Sequence, residues 1–391
     1  MRDKVFGGLL ALFMLSFFFV AELHQRNWLL YLTALSAHAF VLDATAWRRA
    51  FADARGLAVV VLVMLPLLSL AWSNGIEARG VRALFVAGYC ILAVYFGLVH
   101  LMDARPRDLE RLKHLLLAGA IVASGISVVH WLLTAPSWFG RLIGVLGLNN
   151  PVHASILLLA TTLPAVRRIG LDRAGLGWLA ACVLPWMFVL LAGPRAAMGA
   201  YVIVAGLLLT ARGSLRSNAI VGICAVAVAS AMIAVAGFDE FQAIWLDRGI
   251  SYRNVIWAQL WAQFRDCNPL IGCGIGSPLS ITFEAVSSSR PHSLLLGVLY
   301  YQGVLGMVAF VAALGYLVIS ALKPARSGVI DRRDWVVMIG FALLANLTSG
   351  DHIMVRATLF WSYFWLPVMV IAALRFISSD SGGANGTENS Q

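Results

Sequence analysis

Long, almost uncharged stretches alternate with short polar connectors along the whole chain, as in Val5–Leu23, Leu57–Trp72 and Ala219–Ala236. Each has the length of a helix that crosses a ~30 Å hydrocarbon core. The pattern predicts an all-α polytopic membrane protein with about twelve transmembrane helices. The expected spans lie near 5–23, 28–46, 56–72, 82–102, 114–134, 151–166, 176–192, 195–211, 219–237, 293–321, 335–350 and 355–376. Only Gly193-Pro194 divides the seventh from the eighth. Pro164, Pro185 and Pro367 fall inside spans, where a membrane helix tolerates them. No soluble unit of any size remains, so residues 1–377 read as a single transmembrane domain that includes one long loop, 238–292, between spans nine and ten. Residues 378–391 are polar and Gly/Ser/Asn-rich and read as a disordered tail. Val5–Leu23 is followed at once by another apolar run and by no A-x-A site, so it reads as an uncleaved first span.

Composition sharpens this picture. The chain of 391 residues is 60% hydrophobic and 12% charged, more apolar surface than a soluble protein of that length can hide. Its net charge of +10 sits in the connectors, not on a soluble basic face, which argues against a nucleic-acid partner. Sorting the connectors by side puts nineteen cations on one side and ten on the other. The positive-inside rule makes the richer side cytoplasmic, with both termini there and the long loop outside.

Within that loop, Trp257, Leu260, Trp261 and Phe264 recur at helical spacing, so 251–265 is expected to form an amphipathic helix with Ser251 as N-cap. Arg253, Trp257, Trp261 and Arg265 follow one another at steps of four, which sets them on one stripe, expected to face the membrane or the bundle. Cys90, Cys182 and Cys224 lie in spans and read as packing residues. Cys267 and Cys273 share the oxidising side, where a disulfide is open to them.

The outward cations are few and therefore informative. Arg195 opens a span directly after Gly-Pro, and Arg253 sits on the apolar stripe. Headgroup contact or helix capping accounts for either one alone. A pair of guanidinium groups at a membrane boundary also suits a lipid-linked phosphate, because guanidinium binds phosphate bidentately and stays charged. His292, in Arg290-Pro291-His292-Ser293, precedes the tenth span and is either structural or a general base. His352 follows Asp351 at the outer end of the eleventh span, and an acid beside an imidazole orients it. No Asp-x-Asp and no His/Cys cluster occurs on the outer side, so the expected chemistry uses no metal and no cofactor.

The order of these elements carries a family resemblance. Ala-Gly-Pro-Arg195-Ala is followed by Arg253-Asn-Val-Ile-Trp257, then Asn268-Pro269-Leu270-Ile271-Gly272-Cys273-Gly274, then Pro291-His292-Ser293-Leu294-Leu295 and Tyr301-Gln302-Gly303-Val304-Leu305-Gly306. Leu146-Gly147-Leu148-Asn149-Asn150-Pro151 and Ser69-Leu70-Ala71-Trp72-Ser73 precede them. The series resembles the O-antigen ligase/polymerase superfamily, over roughly residues 69–306. Gly-Pro-Arg stands where members of that family typically carry Ser-Arg-Gly, and Arg265 has no firm counterpart.

The resemblance implies a glycosyltransferase of GT-C-type architecture in the bacterial inner membrane, with a periplasmic site. It implies an O-antigen ligase that moves a glycan from undecaprenyl diphosphate to a sugar hydroxyl of lipid A-core during lipopolysaccharide biosynthesis. Arg195 and Arg253 would neutralise the diphosphate and His292 would serve as base, these three being the expected catalytic set. Arg265, Arg290, Trp257, Trp261, Asp351 and His352 are expected to bind substrate. The loop helix would close over the donor lipid. The rival readings are an O-antigen polymerase and a protein O-oligosaccharyltransferase. A lipid or solute transporter stands further off, since no internal repeat is seen and the candidate cations lie at the membrane edge.

Overall fold

The structure, a computed structural model, describes residues 1–51, 54–134, 142–170, 172–210, 253–283, 286–322, 330–350, 352–354 and 356–374. Spans expected at 219–237, the start of the long loop, Ser251, Asp351 and the tail at 378–391 lie outside the described residues. Helices dominate the rest: α1 (Arg2–Phe19), α2 (Leu23–Val41), α3 (Ala44–Ala50), α4 (Ala54–Leu68), α5 (Ala78–Ala104), α6 (Pro106–Thr134), α7 (Pro151–Val166), α8 (Arg173–Ala192), α9 (Arg195–Thr210), α10 (Arg253–Phe264), α11 (Leu294–Leu322), α12 (Arg332–Asn346) and α13 (Leu366–Ala373). A short antiparallel hairpin, β1 (Ile281–Phe283) with β2 (Val286–Ser288), lies between α10 and α11.

Among the described residues, five helical stretches are long and apolar enough to cross a membrane: α4 with its continuation to Trp72, α5, α6, α8 and α11. Three shorter apolar helices accompany them, at Pro151–Val166, Arg195–Leu208 and Trp361–Ala373. The expected all-α membrane class therefore stands. α13 and the π-helical turn Trp361–Trp365 before it are buried on every side, as befits an all-apolar helix at the centre of a bundle. Its helical geometry begins later than the expected 355, because the preceding chain is irregular and lines a cavity. Irregular backbone at such depth survives only where protein or a cavity satisfies its polar groups; here Ala357 N–H donates to Asn27 Oδ1 at 3.1 Å. Gly193 adopts φ 60° and ends α8 with a left-handed C-cap, which separates two spans that the sequence runs almost together.

The Asn-Pro and Tyr-Gln-Gly motifs form one interlock. α11 breaks at Gly303, whose φ of 67° and ψ of −168° suit glycine alone. Backbone groups freed by the break pair with the loop before it. Cys273 and Gly274 donate to the carbonyls of Tyr300 and Tyr301 at 2.8 and 2.9 Å, while Val304 and Leu305 donate to those of Pro269 and Leu270 at 3.0 Å each. A Cβ at Gly303 would stand 2.4 Å from the Leu270 carbonyl, and one at Gly272 would stand 2.5 Å from Gly303 N. A disulfide joins Cys267 and Cys273, with Cα atoms 5.1 Å apart, and closes the same loop. Ser69 and Ser73 hold its far end, accepting from Ile275 N at 3.1 Å and Gly276 N at 3.0 Å. Gly303→Ala should therefore lower the stability of the purified protein by about 1–3 kcal/mol, measured as a fall in its thermal midpoint in detergent.

Candidate active site

Several parts of the chain converge at one end of the bundle: the start of α2, the start of α5, the α6–α7 connector with the start of α7, the segments around Ile275 and Arg290, and the α12–α13 connector. Between them lies a cavity of about 630 Å³. Its polar lining includes Arg26, Asn150, His153, Arg290, His352 and Arg356. Asn150 caps α7, its side chain accepting from Val152 N at 3.1 Å and His153 N at 3.2 Å, with Pro151 at the first helical position. That capping turns the first residues of α7 toward the cavity, and His153 Nδ1 sits 2.9 Å from the Tyr363 hydroxyl.

Two of the expected substrate-binding residues, Arg290 and His352, meet in this cavity. Pro291 also lines it, and His292 is the next residue in the chain. His292 has φ 49°, a left-handed backbone uncommon for a residue with a side chain, and its Nε2 lies 3.4 Å from Ser288 Oγ. Strain of this kind survives where surrounding structure holds it, and functional sites are where it gathers.

Arg195, at the start of α9, lies near enough to Arg253, at the start of α10, for its charge to act there. Burial, followed by the like charge of Arg195, pulls the Arg253 guanidinium below its usual range.

α10 narrows the expected pattern. The face it buries is the Leu260 and Phe264 stripe, with Ile256 partly covered, in a small core shared with Ile281, Tyr300 and Tyr301. Of the two alternatives for the Arg253–Trp257–Trp261–Arg265 ladder, the bundle is excluded as a common face: Arg265 is exposed and Trp261 is 46% exposed, whereas Trp257 is part-buried. The reason lies in the glutamines. Gln263 Nε2 donates to Ser280 O at 2.6 Å and Gln259 Nε2 to Thr282 O at 2.7 Å, and each amide oxygen accepts from the same residue's N–H. Four helical residues rise ~6 Å, close to two residues of strand, so the pair reads the strand edge in register. These two hydrogen-bonded residues fix the rotation of the helix, which apolar spacing left open.

Sequence reasoning gave Arg26, His153 and Arg356 no individual role, yet all three line the cavity. Their only signal was scarcity, since Arg26 and Arg356 were two of the ten outward cations.

Fold and site together define a multi-pass helical membrane protein with a cationic cavity at one end of its bundle. The chain is similar to the O-antigen ligase of Pseudomonas aeruginosa, with 26% identity over 325 residues, or 81% of this chain and 77% of that protein. The resemblance first seen in ordered motifs thus extends over most of the chain. No family model matches it.

Proposed function

We propose that this protein is an O-antigen ligase of the bacterial inner membrane. It transfers a glycan from undecaprenyl diphosphate to a sugar hydroxyl of lipid A-core on the periplasmic face. The observation that carries this reading is the nearness of Arg195 to Arg253, each felt as a like charge although they come from different helices, and the cationic cavity supports it. Similarity to the Pseudomonas ligase supports it. On this reading the chain crosses the membrane about twelve times in a GT-C-type arrangement, with both termini cytoplasmic.

The reaction is one displacement with inversion. The acceptor hydroxyl gives its proton to the His292 imidazole, and its oxygen bonds to the anomeric carbon of the donor sugar. The bond from that carbon to the diphosphate oxygen breaks, and the electron pair leaves with undecaprenyl diphosphate. Arg195 and Arg253 hold the charge that grows on the leaving group, so no metal is required. Arg265, exposed beyond the C-terminal end of α10, would add a further contact to the diphosphate. Trp257 and Trp261 would cover the donor's lipid, excluding water as a competing acceptor. Asp351 would orient His352.

Purified protein, purified undecaprenyl-diphosphate glycan and lipid A-core, combined with EDTA, should yield lipid A-core of higher mass. Lengthened donor glycan without transfer to lipid A-core would replace the ligase by the polymerase. Absence of both products would overturn the glycosyltransferase reading. In the same assay Arg253→Gln should lower kcat by about 10²- to 10³-fold, the loss expected when one preorganised charge donor is removed. Arg253→Lys should recover only part of it, because an ammonium cannot chelate a phosphate bidentately.

A further inference from the structure

The proposed diphosphate site leaves the cations of the cavity unused. Arg26 is 7% exposed, and its Nε is buried without a hydrogen-bond partner. One terminal nitrogen donates to the Ala21 carbonyl at 3.1 Å, and the guanidinium lies over the Phe17 ring at 5.9 Å from its centroid. Burying an arginine side chain this deeply is costly unless something returns the lost hydration. Arg290, Arg356 and His352 line the same cavity, and among the described residues the lining holds no carboxylate. The acid whose charge reaches Arg26 is Glu22, which is exposed and lies 3.7 Å from His24. Asp351, beside His352, lies outside the described residues.

We infer that Arg26, Arg290, Arg356 and His352 form an anion subsite for a phosphate group carried by the acceptor glycan, distinct from the leaving diphosphate. The inference rests on the ligase reading for the identity of the acceptor. Its physical basis is the concentration of guanidinium groups in a cavity that also holds Asn150 and His153, side chains suited to sugar hydroxyls. An anion bound in the cavity would meet the guanidinium groups that line it together, and a phosphate oxygen accepts from such donors more strongly than a neutral oxygen does. A phosphate on the acceptor would also fix its distance from the reacting hydroxyl, so the subsite would select acceptors by their phosphorylation.

The test compares lipid A-core bearing its sugar phosphates with the same acceptor after chemical dephosphorylation. Removing the phosphates should raise the acceptor KM of the wild type about tenfold, the size of one charge-assisted contact. Arg26→Gln and Arg356→Gln should each raise the KM for phosphorylated acceptor by a similar factor. Neither should raise it further for dephosphorylated acceptor, and the donor KM should stay fixed. Arg26→Lys should recover part of the loss. Arg356 is exposed, so its variant keeps the test alive even if Arg26→Gln fails to fold. A rise in donor KM would assign these arginines to the diphosphate and overturn the inference, as would equal losses on both acceptors. The ligase reading fails separately, by absence of transfer from the wild type. Retention of phosphorylated core oligosaccharide on the purified protein then decides the subsite: weaker retention after dephosphorylation or in Arg356→Gln supports it, and unchanged retention overturns it.

Discussion

His292→Asn should reduce kcat for transfer to lipid A-core by about 10²- to 10⁴-fold, the range expected for loss of a positioned general base. Asparagine is the informative replacement. The position has φ 49°, and asparagine enters the left-handed region more readily than most residues with a side chain. Alanine would confound a lost imidazole with a strained backbone. If the thermal midpoint of His292→Asn matches that of the wild type while turnover collapses, the imidazole carries the proton and the backbone does not explain the loss. Comparable turnover in a well-folded variant would remove His292 from the chemistry. The base would then be sought at His352 or at His153, which line the cavity. The Ser288 hydroxyl, 3.4 Å from His292 Nε2, gives a second handle. Ser288→Ala should have a smaller effect than His292→Asn, since an acceptor hydroxyl can take that place.

The spans expected near 56–72, 82–102, 114–134, 176–192 and 293–321 were legible because they rest on an additive property. Twenty apolar residues in a row have few alternatives in a chain this hydrophobic. Finer features rested on local stereochemistry that the motifs contained but did not explain. Asn150-Pro151 reads as a helix start, and the structure uses it as one. Gly272, Gly274 and Gly303 mark a loop threaded into a broken helix, a long-range fit that no single motif discloses. Periodicity found α10 but left its rotation open, and Gln259 and Gln263 settle it by binding the backbone of β1 and the residue before it. The cavity was the least visible feature. Its polar groups come singly from connectors separated by hundreds of residues, Arg26 and Arg356 among them, and isolated cations at helix ends look alike in sequence whether they set topology or bind a ligand. Arg195 and Arg253 stood out because each sits where topology alone would not place a cation.

At the opposite end of the bundle from the cavity, Asp334→Asn should destabilise the protein by about 3–5 kcal/mol, the largest stability loss expected of these substitutions. Asp334 is completely buried in the first turn of α12, where the helix dipole already favours a carboxylate. Lys113 of α6 reaches one of its oxygens at 2.7 Å, Arg168 reaches the same oxygen at 3.1 Å, and Arg167 takes the other. The sequence treats these cations as markers of the cytoplasmic side, yet their charges also tie three helical segments together. Removing the carboxylate charge leaves Lys113, 5% exposed, beside two guanidinium groups. Arg167 still has Asp331 at 2.9 Å, and Arg168 is partly exposed and lies over the Trp178 ring. Lys113 keeps Glu110 at 2.7 Å but loses the partner at its buried side. The penalty therefore falls mainly on the lysine, and this distinguishes a stranded charge from a lost contact. Asp334→Leu combined with Lys113→Met should recover much of the stability that Asp334→Asn loses, because the pair is exchanged for apolar groups and each remaining arginine keeps another contact or water. Thermal midpoints of the three proteins in one detergent decide it. If the double variant is no more stable than Asp334→Asn, the arginines depend on Asp334, and the carboxylate works as a three-cation hub.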